Sequence, residues 1–577
     1  MNFQPRRLRY TRRDLLSSVL GAGTLACLGC NSLSSRWSGA LPFTGSVLTP
    51  NRDVGHRLRV PTAERFASSS DAENPNADTR HARCVIVGGG VAGLAAGYEL
   101  LKSGIDDFLI LELESTPGGT SRSTQYQSDS FGSLRAPWGA HYLPLPGTHN
   151  EPLRNFLREC GVLDESGAAA EQMLCRDPEE RVWANGRWHY GLLPMGDATT
   201  EDISQVERFQ KEMSDFAQTR DANDKSWFVL PTSRASDDPE SLALDQLSMS
   251  QWMQSREFDS PRLLWLVDHS CRDDYGLRAD QTSAWAGIFY FASRMLDPSQ
   301  STESAPVLTW PEGNCFLVDQ LVRKIGDRIE TDQAVLSMSE LDSGTLSLNA
   351  LNTQTQKRSN VTADSVILAV PQFIACRLLT DSLGEVKQNR IEMAQSFQYG
   401  SWLVANIVLR DRPKENDPAM CWDNVRYQSS SLGYVNAGHQ TGSDHGGTVL
   451  TWYQALTTHD TALTRTELMT LNWEEAAEVV CSDLEIMHPN IREHIEAMDV
   501  MVWGHAMIQP TVGSRSNPLR TRASQSIGNI HFAASDLSGV ALFEEAFDHG
   551  RRAAQAVAQS KVGRKSRSRI RQNSVQH

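Results

Sequence analysis

The 577-residue sequence contains no apolar run approaching the roughly eighteen residues that a membrane-spanning helix needs. It has no surplus of basic residues either: the formal net charge is -15, which argues against nucleic acid as the main partner. Internal repeats are absent as well. A chain of this length is too long for one compact core, so we expect two domains.

Few cysteines are paired in the sequence. Apart from Cys27 and Cys30 in the N-terminal segment, no two cysteines form a CxxC pair, and the sequence has no HExxH motif and no cluster of histidines and cysteines, so it predicts no metal site. The eight cysteines from Cys84 to Cys481 are widely scattered, and several lie in apolar runs. We interpret them as buried free thiols rather than as a disulfide framework.

The N-terminus resembles a twin-arginine export signal. Arg12 and Arg13 precede an apolar stretch, 19–29, that is too short to span a membrane. The twin-arginine export machinery carries folded cargo, so a cofactor could be inserted before export to the periplasm. The alternative interpretation of this segment is a disordered basic tail.

Residues 28–30, Leu-Gly-Cys, resemble the end of a lipoprotein cleavage box, although Cys27 stands where Leu or Val is usual. Two outcomes stay open: a free periplasmic protein, or anchoring by lipid at Cys30 on the outside of the inner membrane. Residues 1–30 are therefore treated as a signal. The Ser-, Asn-, Pro- and Arg-rich segment 31–80 is predicted to be a disordered linker, and the basic segment 561–577 a disordered tail.

Short apolar runs typical of buried parallel strands occur at 84–87, 108–111, 365–370 and 530–534. Helical patterns follow the first and the last of them, at 92–102 and from about 542 to 558. These regions lie far apart in the sequence, but each contains a short, continuous apolar run of the kind found in buried parallel strands. They indicate a single α/β domain that is assembled from separate pieces.

A glycine motif joins the first strand to the first helix. It is GxGxxG, formed by Gly88, Gly90 and Gly93. The first glycine permits a tight turn, the second lets the backbone approach a pyrophosphate, and the third lets helix and strand pack closely. The helix start at Val91 and Ala92 offers unpaired N–H groups to phosphates. Glu112 closes the second strand, where a carboxylate can accept both hydroxyls of an adenosine ribose.

A second glycine pair identifies the dinucleotide. Gly118 and Gly119, with Arg122 nearby, resemble the extended fingerprint of the flavin amine oxidase superfamily, which includes protoporphyrinogen oxidases and carotenoid desaturases. In that superfamily the glycine pair and the arginine contact the FAD diphosphate. NAD-binding domains do not need this loop. The resemblance therefore implies FAD, with these residues at its phosphates.

Two internal segments extend the resemblance. Residues 137–142 resemble the family segment along the isoalloxazine ring, which implies that Gly139 and Ala140 meet the ring edge. His141 and Tyr142 then either reach the substrate or are ordinary structural residues. Val335 falls where the family uses a valine backbone to bind adenine.

The C-terminal part resembles the family's closing motif. It implies that Asp536 meets the flavin diphosphate or ribityl chain, and that Val540 and Glu544 lie near the polar edge of the flavin. Glu545 stands where the family usually has glycine. Trp503 and His505 precede this motif, where family members often place an aromatic wall, so either substrate contact or plain packing is expected of them.

The predicted architecture is α/β. A Rossmann-like FAD-binding domain is built from the discontinuous segments 81–146, 305–375 and 495–560, and an inserted α+β substrate domain comprises 147–304 and 376–494. Within the latter, the run Arg272-Asp273-Asp274-Tyr275 is interpreted as an ion-paired brace rather than a substrate site.

One departure from the family concerns the chemistry. Many amine oxidases carry a lysine that holds a water at flavin N5, but the matching stretch 401–409 has none. No cysteine near the closing motif suits covalent attachment, so FAD is expected to be non-covalent. The resemblance predicts an exported flavoenzyme that removes a hydride from a small substrate, and the acidic charge favours an amine or polyamine. The alternatives are a desaturase or dehydrogenase with a non-oxygen acceptor, and a non-catalytic flavin-binding envelope protein.

Overall fold

A computed structural model of the protein describes residues 41–66, 79–295, 305–379, 385–415, 418–458 and 460–573. These residues form two compact units. The first unit takes its described residues from 41–49, 123–314 and 399–516, and the second from 50–122, 315–398 and 517–573. The export signal predicted at 1–30 lies outside the described residues. Among the helices that are described, none is both long enough and apolar enough to cross a membrane.

A seven-stranded sheet forms the centre of the second unit. Its strands, numbered along the chain, are β2 (Thr79–Val87), β3 (Phe108–Leu111), β10 (Ile329–Glu330), β11 (Gln333–Glu340), β12 (Leu346–Asn352), β13 (Arg358–Leu368) and β19 (Ile530–Phe532). The order is β10-β3-β2-β13-β12-β11, and β19 pairs with the end of β13. The apolar runs predicted to be strands are thus strands of one sheet.

Five of these strands run parallel: β10, β3, β2, β13 and β19. Parallel strands end at the same edge of a sheet, and ligands of open α/β sheets bind outside these carboxyl ends. Residues that follow Val87, Leu111, Leu368 and Phe532 therefore share one edge. The side chains of Val85 and Ile86 are fully buried, which explains the continuous apolar run of β2.

The helices of the second unit are α1 (Arg52–His56), α2 (Val91–Lys102), α9 (Cys315–Ile325), α10 (Gln372–Leu378), α11 (Glu385–Gln395), α15 (Pro518–Ala523) and α16 (Phe543–Asn573). Helix α2 directly follows β2, as the glycine motif predicts. Helix α16 begins near the predicted position but continues to Asn573, so residues 561–573 of the predicted disordered tail are helical.

The first unit contains an eight-stranded sheet in the order β1-β18-β14-β17-β16-β15-β7-β8. Its strands are β1 (Val47–Leu48), β7 (Glu180–Ala184), β8 (Arg187–Tyr190), β14 (Tyr399–Leu409), β15 (Asp423–Arg426), β16 (Tyr434–Asn436), β17 (Thr448–Leu456) and β18 (Ile495–Ile508). Two separate strand pairs complete it, β4 (Ser123–Ser128) with β5 (Gly132–Pro137) and β6 (Tyr142–Pro144) with β9 (Val307–Thr309).

The helices of the first unit are α3 (Glu151–Glu159), α4 (Thr200–Gln218), α5 (Pro239–Ala243), α6 (Met249–Ser255), α7 (Pro261–Tyr275), α8 (Ala284–Ala292), α12 (Thr461–Thr470), α13 (Trp473–Met487) and α14 (Ile491–His494). Strand β14 lies in the middle of the sheet between β18 and β17, and all of its residues are buried.

The predicted linker 31–80 is wrong over residues 41–66, which are ordered. Strand β1 pairs with β18, and Phe43 is buried in the first unit. In the second unit Val54 and Leu58 join the hydrophobic core of the sheet. Tertiary pairing and burial order a segment that has no sequence periodicity of its own.

The unit boundaries also differ from the predicted domains. Residues 123–146 belong to the first unit, because Tyr126 and Leu134 pack against Val408 and Val449 of its sheet. The same holds for 305–314, paired through β9, and for 495–516, paired through β18. Conversely, 376–398 belongs to the second unit.

Candidate functional site

The turn between β2 and α2 requires glycine at its first and last motif positions. Gly88 has φ +102°, and a Cβ there would lie 2.5 Å from the carbonyl oxygen of Ala369. A Cβ on Gly93 would lie 1.9 Å from the carbonyl oxygen of Gly88. Both glycines are therefore demanded by the fold of the turn itself, as the motif predicts.

Gly90 is different, because none of the described residues requires a glycine there. Its φ of -71° suits any residue, and a Cβ there would meet no atom closer than the Cα of Gly119, at 3.9 Å. Gly90 is the N-cap of α2, yet no described side chain caps this helix and no acidic residue lies in its first turn. The N–H groups of Val91, Ala92 and Gly93 have no intrahelical acceptors and suit a phosphate.

The second glycine pair lies beside the first turn. The Gly118 N–H donates to the Gly89 carbonyl oxygen at 2.8 Å, and Gly118 forms an isolated bridge with Gly90. Gly118 and Gly119 have φ of +119° and +58°, which favour glycine. Two backbone segments without side chains thus approach each other where the resemblance implies the diphosphate.

Glu112 follows β3 at the same edge of the sheet. Its Oε2 accepts from the Gly89 N–H at 2.5 Å, and its Oε1 accepts from the Glu114 N–H at 2.8 Å. Burial raises the pKa of this carboxyl, whereas the two backbone hydrogen bonds oppose that shift. The two N–H groups hold the carboxylate in one orientation beside the glycine turn.

Arg122 forms an ion pair that sequence reasoning missed. Its Nη1 donates to Glu114 Oε2 at 3.1 Å, and Glu114 Oε1 accepts from the backbone N–H of Asn51 at 2.7 Å. The ordered segment 41–66 therefore contacts Glu114, which lies two residues after Glu112. Nothing local in the sequence connects Asn51 with Glu114.

Asp536 follows β19 and shares the edge with the glycine turn. It lies in a short turn before α16, and its Oδ2 accepts from the backbone N–H of Gln372 at 2.7 Å. Gln372 follows β13 and is the first residue of α10. Residues after three neighbouring strands, β2, β13 and β19, thus meet at the predicted dinucleotide edge.

The remaining candidates of the second unit are buried, either at the start of α16 or on β11. Val540 and Glu544 lie just before and within the first turn of α16, and both are buried. Glu545, the departure from the family glycine, is fully buried and accepts from the Ser538 hydroxyl. Val335 lies on β11 beside a β-bulge, two residues after Gln333, whose N–H donates to the Glu112 carbonyl oxygen.

In the first unit, Gly139 has φ +119° and a Cβ there would meet nothing within 4 Å. The Asn314 N–H donates to the Ala140 carbonyl oxygen at 2.9 Å, and a Cβ on Gly313 would lie 2.3 Å from that oxygen. The predicted flavin segment is therefore hydrogen-bonded to the turn at Gly313 and Asn314.

An aromatic cluster in the first unit collects three of the remaining candidates. Its buried aromatic members are Trp138, Trp402, Trp422, Tyr453 and Trp503, and Tyr142 packs against them. Trp402 stacks on Tyr453 with ring centroids 6.2 Å apart, and the His141 ring lies 5.3 Å from Tyr453. The Trp503 indole N–H donates to the Trp138 carbonyl oxygen at 3.1 Å.

Sequence reasoning selected Trp503, His141 and Tyr142 but missed Trp402 and Tyr453. Trp402 pairs with Trp503 across β14 and β18, and Tyr453 lies on β17. His505 does not join the cluster, and its ring contacts Tyr399 at 6.0 Å. The three lysines of the first unit are exposed, so none of them enters the cluster: Lys211, Lys225 and Lys414.

Two residues of the polar run on α7, Arg272 and Asp274, form ion pairs with residues outside the run. Arg272 Nε donates to Asp268 at 3.1 Å, and Asp274 accepts from Arg294 at 2.6 Å. The Tyr275 hydroxyl donates to the Ala286 carbonyl oxygen. These contacts agree with a brace, but Arg272 and Asp274 pair with other residues and not with each other. The eight cysteines are free thiols, and all except Cys160 are buried.

Comparison with known proteins supplies the family. The family model for flavin-containing amine oxidoreductases matches residues 91–558. The chain belongs to this family. Its cofactor is FAD, and it is an FAD-dependent oxidoreductase.

Solved structures show the fold of this flavin-containing amine oxidoreductase at low sequence identity. Putrescine oxidase bound to putrescine is 18% identical with a TM-score of 0.61, over 83% of this chain and 99% of that one. Cyclohexylamine oxidase from Brevibacterium oxydans IH-35A is 14% identical, with a TM-score of 0.57 and coverage of 83% and 99%. A CLA-producing fatty acid isomerase from P. acnes is 15% identical, with a TM-score of 0.59 and coverage of 82% and 98%.

The residues of the second unit fit FAD on structural grounds. The uncapped start of α2, the open space at Gly90 and the adjacent glycine pair form a cradle that an added Cβ would fill. Glu112 is the carboxylate at the same edge that suits ribose hydroxyls. Together these features match the phosphate and ribose groups of a dinucleotide.

Proposed function

We propose that this flavin-containing amine oxidoreductase is an exported enzyme that binds FAD non-covalently and oxidises a small amine. The observation that carries the proposal is the start of α2. There, three N–H groups without intrahelical acceptors and the open space at Gly90 suit the phosphates of FAD. Glu112 would hold the ribose, Gly118, Gly119 and Arg122 the diphosphate, and Val335 the adenine. Asp536, Val540 and Glu544 would contact the flavin half. The contact of Gly139 and Ala140 with the ring edge stays a prediction from the family resemblance.

The aromatic cluster supports an amine as the substrate. The parallel faces of Trp402 and Tyr453 offer π-surfaces that attract N–H groups and cations. His141 and Trp503 line the same cluster. Two of the similar structures are named as oxidases of putrescine and cyclohexylamine, which favours the same substrate class. The net charge of -15 also favours a cationic substrate over an anionic one.

The proposed reaction needs few acid–base groups. A cationic amine first releases one N–H proton to water. The neutral amine then loses a hydride from the carbon next to nitrogen and becomes an iminium ion, which water hydrolyses to a carbonyl compound and ammonium. Bound FAD supplies the two-electron acceptor for that hydride. The protein has to orient the C–H bond and exclude water, which buried aromatic side chains do well. No titratable side chain is required to remove a proton from carbon.

A second candidate is a desaturase or dehydrogenase that passes electrons to an acceptor other than oxygen. It is favoured by β14, where the stretch that matches the lysine-bearing strand of amine oxidases is buried and contains no lysine. The fold likeness to a fatty acid isomerase agrees with chemistry on a C–C bond.

Anaerobic reduction separates these functions. We expect putrescine, cyclohexylamine or a related amine to bleach the flavin absorbance of the holoenzyme. Trp402→Leu should slow this reduction about tenfold or more through loss of the stacked face. Reduction by dithionite should be unchanged in this variant. If dithionite reduces the flavin but no amine does, amine oxidation is contradicted, and peroxide release in air distinguishes an oxidase from a dehydrogenase.

Non-covalent binding has its own test. Acid precipitation of the purified protein should release all of the yellow colour into the supernatant, whereas a covalent flavin would stay in the pellet.

Export is proposed from the N-terminal sequence alone. Replacing Arg12 and Arg13 by Lys should retain the protein in the cytoplasm, since the twin-arginine pair is the recognition feature. Anchoring at Cys30 is tested separately with Cys30→Ser, which should move a lipidated protein from the membrane to the soluble periplasmic fraction. If the Arg12 and Arg13 replacement leaves the distribution of the protein unchanged, twin-arginine export is contradicted. If Cys30→Ser leaves it unchanged, anchoring at Cys30 is contradicted.

A further inference from the structure

A buried arginine lies next to the carboxyl edge of the second unit. Arg390 of α11 is 3% exposed, and its guanidinium carbon lies 3.5 Å from the centre of the Phe532 ring at the end of β19. Its Nη1 donates to the Ala523 carbonyl oxygen at 2.7 Å, and its Nη2 donates to Gln372 Oε1 at 2.6 Å. Arg390 thus ties α11 to α10, α15 and β19.

Gln372 connects this arginine with Asp536. Its side-chain oxygen accepts from Arg390, while its backbone N–H donates to Asp536 Oδ2 at 2.7 Å. Because a guanidinium only donates, the orientation of the Gln372 amide is determined. Gln372 is 2% exposed and Asp536 is 4% exposed, so this chain of contacts is shielded from solvent.

The charge on Arg390 is costly where it lies. Within the described residues it forms no ion pair at 4 Å or less; its contacts are with neutral groups, namely the Ala523 carbonyl oxygen, the Gln372 amide oxygen and the Phe532 ring. Burial of a charge without an ion-pair partner is unfavourable. Burial lowers the pKa of Arg390 to about 10, while Cys376 and Asp536 act in the opposite direction. The arginine therefore remains a cation at neutral pH, and Asp536 is the nearby carboxylate that compensates it.

We infer that Arg390 and Gln372 are positioning residues for Asp536: they hold its carboxylate at the edge where the dinucleotide binds. Neither residue needs to touch the cofactor. Gln372 fixes one carboxylate oxygen through its N–H, and Arg390 holds Gln372 and supplies the positive field. The inference rests on the proposed function, in which Asp536 itself contacts FAD.

If Arg390 has a purely structural role, a different effect of its loss on FAD affinity is expected. If the arginine only braced α11 against the sheet, its loss would weaken FAD binding by the same factor whether or not residue 536 carries a charge. If it acts through Asp536, the two losses are coupled. A double-mutant cycle on FAD affinity therefore separates the two roles.

The experiment measures FAD release from the full-length holoprotein by the rise in flavin fluorescence on dilution. We expect Arg390→Met and Asp536→Asn each to weaken FAD binding about tenfold or more. In the double variant, the loss of FAD affinity should exceed the loss in the more weakly binding single variant by no more than about threefold. Arg390→Lys, which keeps the charge, should restore a substantial part of the affinity.

The matched control is Arg65→Met. Arg65 is a comparably buried arginine of the same unit, and it donates to the carbonyl oxygens of Leu336 and Arg377. This variant should lower the melting temperature of the protein without the coupling to Asp536→Asn. It reports the effect of removing a buried arginine as such.

Three outcomes overturn the inference: losses in the double variant that multiply, full retention of affinity in Arg390→Met, or no recovery with Arg390→Lys in a folded protein. If Arg390→Met fails to fold, the cycle is run with Gln372→Leu and Asp536→Asn under the same criteria. If Asp536→Asn alone leaves FAD affinity unchanged, the proposed contact of Asp536 with FAD has failed instead.

Discussion

A Cβ atom on Gly550 would lie 2.0 Å from the carbonyl oxygen of Ala92. Helices α16 and α2 therefore cross in direct backbone contact, and the crossing point is the first turn of α2. This turn carries the N–H groups that we assign to the phosphates of FAD. Close packing of α16 is thus coupled to the geometry of the cofactor site.

Gly550→Ala should separate the two helices. We expect a loss of about 1–3 kcal/mol in stability from overpacking, together with weaker FAD binding because the start of α2 moves. Thermal unfolding and FAD content after gel filtration measure the two effects. Gly55→Ala is the control, because a Cβ on this helical glycine meets nothing within 4 Å. Equal behaviour of the two variants would contradict the crossing described here.

Alanine at Gly90 and at Gly93 should separate cofactor binding from folding. Gly90 has room for a Cβ, so Gly90→Ala should keep the stability of the apoprotein within about 0.5 kcal/mol. Its methyl group occupies the space predicted for the pyrophosphate, so FAD affinity should fall about tenfold or more. Gly93→Ala should instead abolish folding, since its Cβ would overlap the Gly88 carbonyl oxygen. Circular dichroism and FAD titration distinguish the variants, and retained FAD affinity in Gly90→Ala would refute this assignment.

The parts of the site that could be predicted from the sequence depend on short-range geometry. The tight turn at Gly88, the start of α2 and the end of β3 at Leu111 all involve residues adjacent in the chain, and the structure confirms each of them. A glycine with positive φ or a buried parallel strand leaves a local mark in the sequence.

The parts that could not be predicted depend on strand register and long-range pairing. Trp402 and Tyr453 stack because β14 and β17 pair in one register, and Arg390 reaches Gln372 across two helices. The ordering of residues 41–66 likewise comes from pairing of β1 with β18 and burial of Phe43. None of these contacts leaves a periodic or local signal.

Glu112→Gln tests the proposed ribose contact. Both oxygens of Glu112 accept from backbone N–H groups, at 2.5 and 2.8 Å, so an amide would place an NH2 group against one of these donors. The cost of such an unmatched pair is about 1–3 kcal/mol, and the charged acceptor for the ribose is lost as well. We expect FAD affinity to fall about tenfold or more by fluorescence titration. Glu340→Gln, an exposed carboxylate of the same unit, should bind FAD like the wild type.

The buried imidazole of His549 should make the free energy of unfolding depend on pH. Its Nε2 lies 2.8 Å from the Ser538 hydroxyl, and Arg552 approaches its Nδ1 at 3.1 Å. The same Arg552 nitrogen lies farther from Nε2, at 3.5 Å, and a guanidinium cannot accept, so Nδ1 is the acceptor. The Ser538 hydroxyl donates to Glu545, so its oxygen accepts from the single ring proton on Nε2. Burial, reinforced by the charge of Arg552, lowers the pKa of His549 to about 3. In the unfolded chain the pKa is near 6.5, so between these values the unfolded state binds more protons.

The stabilisation from neutral His549 is therefore complete above pH 6.5 and is lost as the pH falls from there towards 3. Its slope is at most about 1.4 kcal/mol per pH unit. His549→Gln keeps a donor towards Ser538 but cannot titrate, so its denaturation midpoint should fall less steeply with acidification than that of the wild type. Unfolding of both proteins in guanidinium chloride between pH 7.5 and 5 measures the difference. Parallel curves would show that the pKa of His549 is not lowered in the folded protein, which would contradict a neutral ring beside Arg552.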